Sequence, residues 1–213
     1  MLYDGYEGDG AAMAYEFIAG DLGLNFVNTL EYHDGPVRED VLTSWRDLVD
    51  WALAAGLVTP QVTGTLRALG ARNPRAANAT FRRALRLRDC LYRIVTALLA
   101  ERHPPADDLQ LFNEHLAAAQ AAMILRAAPG GLTLELTVTP ERPDSLLGPV
   151  VTAVARLFTS PETVALIRRC DHATCRRFFV DRSRNRSRRW CDMKVCGNRA
   201  KAREYYRQHR GDR

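Results

Sequence analysis

At 213 residues and 46% hydrophobic content, the chain can bury a real core, as one main domain with a small second one. It contains no run of about 18 apolar residues, which excludes a membrane-spanning helix. The acidic start MLYDGYEGDGAAMAYEF lacks the basic and then apolar pattern of a secretory signal, so a cytoplasmic protein is expected. The net charge of +5 is unevenly divided: residues 168–213 hold 14 Arg and 2 Lys against five acids, a balance of +11, whereas residues 1–167 hold 14 Arg against 20 acids, a balance of −6. A basic block on an acidic body is the electrostatic pattern of a polyanion-binding surface. A solvated charged tail is the plainer alternative, but this block also holds four cysteines and several aromatics. In such a chain the five cysteines are expected as thiols or metal ligands rather than disulfides.

The first ten residues are rich in Gly and Asp and are expected to be loose. Leu22, Leu24, Phe26, Val27 and Leu30 then fit one helical face, with Asp21 placed as its N-cap. After a polar loop at His33-Asp34-Gly35-Pro36, Ser44 with Asp47 resembles a capping box. It opens a helix through Trp45, Leu48, Val49, Trp51 and Leu53, with Gly56 positioned to end it. Thr59-Pro60 starts a third helix through about Leu69. Asn73-Pro74 opens the longest, running to about Ala100. Phe81, Leu85, Leu91, Ile94, Val95, Leu98 and Leu99 form its apolar stripe, and Arg82, Arg83, Arg86, Arg88 and Arg93 mostly fall between them. Cys90 is expected there as a small core residue. Pro104-Pro105 breaks this helix. An Ala-rich helix from Asp107 or Asp108 is expected through about Ala127, with Leu109, Phe112, Leu116, Met123 and Ile124 facing the core. Pro129-Gly130-Gly131 is a turn, and residues 132–139 alternate as a half-buried strand does. That strand needs a partner, for which 124–127 is a candidate. Pro143 and Pro149 bracket the start of a helix ending near Leu157, and Ser160-Pro161-Glu162 starts another that reaches Arg168. The body, residues 1–167, is thus expected to be mostly helical with a small β component. No nucleotide-binding glycine motif and no catalytic constellation stands out, so an enzyme is not expected.

Residues 168–213 carry the pattern Cys170-x4-Cys175-x15-Cys191-x4-Cys196. Two pairs of soft ligands suit one tetrahedral structural Zn²⁺; His172 is an alternative ligand, and ordinary buried thiols are the plainer reading. The 15 intervening residues suit a β-hairpin, with Arg177–Val180 leading in, 181–185 turning and Arg189-Trp190 leading back, and a helix follows from about Asn198 to His209. Such an arrangement is a treble-clef-like finger. Trp190 with Phe178-Phe179 is expected to form a mini-core over the metal. On a hairpin, Arg182, Arg184, Arg186 and Arg188 would share a face. With Arg189, Lys194, Arg199, Lys201, Arg203, Arg207 and Arg210 they form a basic surface suited to nucleic-acid phosphates. Some of these arginines are also expected to dock on the acidic body.

Cys196-Gly197-Asn198-Arg199, with Phe179-Val180-Asp181-Arg182-Ser183 and Ser187-Arg188-Arg189-Trp190-Cys191 before it, resembles the CGNR-type zinc finger. Residues 19–29 (AGDLGLNFVNT) resemble the start of the ABATE domain that usually precedes it. The chain has Gly23-Leu24-Asn25-Phe26 where many relatives carry Ala-Leu-Asp-Phe. The resemblance implies a bacterial stress-induced transcription regulator whose four cysteines hold one structural zinc and whose finger binds duplex DNA. Its body would sense a small molecule or mediate homodimerisation. In the motif, Gly197 would free the backbone, Asn198 would cap the last helix, and Arg199 would reach phosphate or brace the hairpin. Two alternatives stand beside this. In one, Asn25–Thr29 and the tryptophans of the second helix line a pocket for a small molecule or protein, and zinc is purely structural. In the other, the basic surface binds RNA.

Overall fold

Side-chain caps start the helices where local sequence places them. The Oδ1 of Asp21 accepts from the amides of Gly23 and Leu24 at 2.8 and 3.1 Å and begins α1 (Leu22–Val27). Ser44 Oγ accepts from the amide of Asp47 to begin α2 (Trp45–Ala54), and the Asp47 carboxylate reaches back to accept from Thr43. Gly56, at φ +69°, ends α2 in a Schellman turn: its own amide bonds Leu53 O, and that of Leu57 bonds Ala52 O. Thr59 and Asn73 cap α3 (Pro60–Arg72) and α4 (Pro74–Leu99). This computed structural model describes residues 15–31 and 39–209. The expected loose N-terminus, the His33–Pro36 loop and Arg210 lie outside the described residues.

Helix α4, about 39 Å long, is the spine against which α1, α2, α3 and α5 (Ala106–Ala121) pack, while α6 (Gly148–Phe158) lies against α1 and α5. Phe26 and Trp51 meet at the centre with ring centroids 5.2 Å apart. Cys90 is buried there as expected, and burial pushes its thiol up to about 12. Helical register alone puts Arg88 among the solvent-side arginines, but it is 3% exposed. Its guanidinium forks onto Asp40 at 2.7 and 2.6 Å and donates to Thr29 Oγ1 at 3.1 Å. The short pair β1 (Leu30–Glu31) and β2 (Glu39–Asp40), with Leu30 opposite Asp40, delivers that carboxylate. A charge on an apolar face is tolerated because a carboxylate neutralises it.

Two elements differ from expectation. Helix α5 stops at Ala121, because Met123–Ala128 (β3) pairs antiparallel with Gly131–Leu136 (β4). Gly130 at φ +83° allows the two-residue turn, and the local hairpin takes Met123 and Ile124 from the helix. Only Leu136 at its base is half-buried among its leucines: Leu125, Leu132 and Leu134 are exposed, as is Leu109 on α5. Helix α7 (Pro161–Val164) ends after one turn, and Ile167–Arg169 becomes strand β5. It pairs antiparallel with β6 (Phe178–Val180), Ile167 opposite Val180. Strand alternation sends Phe178 and Val180 into the body core and Phe179 toward the cysteines. Among the described residues no helix is long and apolar enough to cross a membrane.

Candidate metal centre and its basic surround

The turn between β5 and β6 carries the first two cysteines. The Cys170 amide bonds Arg177 O at 2.8 Å and that of Cys175 bonds His172 O at 3.0 Å, with Arg176 at φ +60°. Of the other two, Cys191 precedes a π-helical turn, Met193–Gly197, and Cys196 lies within it; Asp192 caps that turn by accepting from the Val195 amide at 2.7 Å. All four cysteines are buried and unbridged, and their sulfurs lie within 4.8 Å of one another. Cys175 and Cys191 sulfurs are 3.5 Å apart, Cys191 and Cys196 sulfurs 3.7 Å. A tetrahedron with Zn–S bonds of about 2.3 Å has edges of about 3.8 Å, so the donor set fits one zinc ion. His172 lies outside this group, its Nδ1 3.2 Å from the Thr174 hydroxyl. Hydrogen bonds from Cys175 and Cys191 draw the Cys170 thiol down, while bonding to Cys170 pushes Cys175 and Cys191 up. A divalent cation relieves that contest by favouring four thiolates at once. Four thiolates close the coordination sphere, so the metal's role is structural.

The expected hairpin between the cysteine pairs does not form. Strand β6 spends its pairing on β5, and residues 181–189 make a loop instead. Asp181, with no exposed surface, organises it. Its Oδ1 accepts from the Ser183 amide and hydroxyl at 3.0 and 2.6 Å, and its Oδ2 from the Arg188 amide at 2.9 Å. Burial opposes its ionisation, but those hydrogen bonds from Ser183 and Arg188 hold the carboxyl below its usual range. Arg186 turns the chain at φ +50°. The four even-numbered arginines therefore share a loop, not a strand face. Phe179 and Trp190 cover the cysteines as expected, whereas Phe178 packs at a tilt of 42° against Tyr92 in the body, 5.3 Å between centroids.

Arg182, Arg184, Arg186, Arg188, Arg189, Lys194, Arg199, Lys201 and Arg203 are all exposed. Two of them also build the finger. Arg188 lies 4.6 Å over the Phe179 ring and donates to Cys191 O. Arg189 pairs with Asp171 at 2.7 Å and lies over Trp190. Arg184, Arg186, Lys194, Arg199, Lys201 and Arg203 form no ion pair among the described residues. Arg199, Lys201 and Arg203 belong to α8 (Asn198–His209), Lys194 to the π-helical turn before it, and Arg184 and Arg186 to the 181–189 loop; the described side chains of α8 are exposed on every side except Ala200. Asn198 is the first residue of α8 and already helical, so the cap expected of it is supplied upstream by Asp192. Gly197 does not use the left-handed backbone region, and a Cβ there would meet Met193 Sδ at 2.4 Å, the end of an exposed flexible side chain, and the Trp190 ring at 3.4 Å.

The dock onto the body is built by arginines outside the basic loop. Arg177 pairs with Glu16 and Glu31, and Arg169 lies against the rings of both Tyr92 and Phe178 while donating to Tyr92 Oη and Thr96 Oγ1. Asn28 completes it by bonding Phe178 through both halves of its amide, at 2.8 and 2.9 Å. No local signal marks Asn28 or Arg169, because their partners lie far along the chain; Asp181 carries one, the Asp-x-Ser spacing of an Asx turn. The Asn25–Thr29 side chains are buried in internal contacts. Asn25 accepts from the Ala19 amide, Thr29 donates to Phe26 O, and the two α2 tryptophans are core residues, with Trp45 Nε1 donating to Leu66 O.

Comparison with known families finds two matching models along the chain. No curated protein matches it. The CGNR zinc finger model matches residues 167–209, which contain the four cysteines. The ABATE model, described as "Putative stress-induced transcription regulator", matches residues 20–161. The match runs from the capped first helix through α6, and the chain belongs to the ABATE family, joined to a CGNR zinc finger.

Proposed function

We propose that this protein is a regulator that binds duplex DNA through the basic surface around its closed zinc site, the metal holding the surface in shape and doing no chemistry. Helix α8 carries this reading. It is polar and basic, its described side chains are exposed almost all round, and it packs on little besides the π-helical turn that holds Cys196. A helix without an apolar face has no place in a core, whereas the major groove admits one. Arg184 and Arg186, exposed on the loop that Asp181 holds, suit contacts to phosphates. Arg188 is a poorer candidate contact than its neighbours, because it is engaged with Phe179 and Cys191.

Fluorescence anisotropy with a labelled duplex at several salt concentrations tests the reading. The slope of log K against log salt should fall by about 0.9 for each phosphate contact removed. Changing Arg184, Arg186, Lys201 and Arg203 together to Ala should weaken binding by orders of magnitude, with zinc content and circular dichroism unchanged. Unaltered affinity in that variant, or tighter binding to RNA of the same sequence, would overturn it. Selection from a random duplex library then separates base reading from phosphate grip alone.

A further inference from the structure

The β3–β4 hairpin leaves the body as an arm, its strands touching chiefly each other. Its register sorts the side chains into two unlike faces. Met123, Leu125, Ala127, Leu132, Leu134 and Leu136 lie on one; Ile124, Thr133 and the Arg126–Glu135 ion pair, at 2.9 Å, lie on the other. Leu136 at the base rests on Gly148, where a Cβ would come within 2.8 Å of it. Toward the tip, Leu125, Leu132 and Leu134 are 66%, 71% and 58% exposed. A two-stranded hairpin is marginal in water by itself, and a contiguous apolar face is the kind of surface that associates.

We propose that this face joins two copies of the chain, arm stacked on arm across a two-fold axis. The face carries no charge and no hydrogen-bonding side chain, so its partner must also be apolar. Among the described residues the richest cluster of exposed aliphatic side chains is the arm itself. A second copy therefore presents the matching surface, and a two-fold brings each face onto its equivalent. At a sheet spacing of about 10 Å the leucine rows interleave, leaving Arg126 and Glu135 in solvent on the outer sides. At the base of the arm Leu136 lines a cleft on the body that Arg83, Arg142 and Asp144 also line, so the apolar face ends there. Strands of six residues are only about 20 Å long, so the contact falls below the ~1,200 Å² of a standard interface. The dimer is accordingly weak and reversible.

Sedimentation velocity on the full zinc-loaded chain without nucleic acid, over a roughly hundredfold concentration range reaching about 200 µM, provides the test. The wild type should pass from monomer to dimer, and Arg126→Ala on the outer face should do the same. Leu125→Lys with Leu134→Lys should stay monomeric at every concentration. Zinc content and circular dichroism verify its fold, and a Leu125→Gln, Leu134→Gln pair replaces it if lysine disturbs the hairpin. A wild type that stays monomeric throughout leaves the face to another protein and overturns the proposal. So does a folded double variant that still dimerises.

Discussion

Asn28 and Phe178 are 150 positions apart, yet one primary amide satisfies both backbone groups of Phe178 and so imitates a neighbouring strand. Alanine at position 28 would leave a buried N–H and a buried C=O without partners, at about 1–3 kcal/mol each. Asn28→Ala is therefore expected to lower stability by about 2–4 kcal/mol, and urea unfolding reads this directly; a loss under about 0.5 kcal/mol would show that water replaces the clip. Asp181 makes a pH prediction. Its folded pKa lies below that of the unfolded chain, so its contribution is complete above the unfolded value of about 3.9 and fades as pH falls through the folded one. Asp181→Asn should thus be less stable than wild type near neutrality, with the gap closing below about pH 4. The gap between the two proteins is the quantity to follow, because acid also strips zinc from both.

At the scale of elements, the entry of α1 into the core depends on Gly23. A Cβ there would lie 1.9 Å from Val154 Cγ2 on α6, and Val154 is itself buried, so neither helix can yield cheaply. Gly23→Ala should cost about 1–3 kcal/mol through overpacking. Val154→Ala makes room, so the double variant should lose less than the sum of the single losses. Strict additivity would place the cause elsewhere. Strand β6 joins the two parts of the chain at the same scale, because its alternating side chains serve both cores at once.

For the whole molecule, that shared strand means that the finger does not fold as an appendage. Ile167, Phe178 and Val180 sit in the body core, and Asn28, Arg169 and Arg177 bind the two parts together. The bare expectation from the cysteine pattern is that zinc loss unfolds the finger alone. With the strand shared, chelation should lower the thermal midpoint of the body as well. A Trp190→Phe variant leaves Trp45 and Trp51 as reporters within the body. If their unfolding transition is unmoved after zinc removal, the two parts are independent.

Much of this architecture is written locally. Helix starts were legible because Asp21, Ser44, Thr59 and Asn73 cap within three residues of themselves. The metal ligands were legible because four thiols in two pairs already satisfy one tetrahedron, and the basic block because charge can be counted along the chain. Tertiary structure decided the rest. Strand β6 could pair forward within the finger or back onto β5, and the body's need for Phe178 and Val180 favours β5. That choice turned the arginine hairpin into a loop held by Asp181. Which arginines face solvent was likewise settled by distant carboxylates, Asp40 for Arg88 and Glu31 for Arg177. The sequence alone determined the caps, the ligands and the balance of charge, all of which act over a few residues or need only be counted. Pairing, burial and docking are contests between partners far apart in the chain, and only the folded molecule brings those partners together.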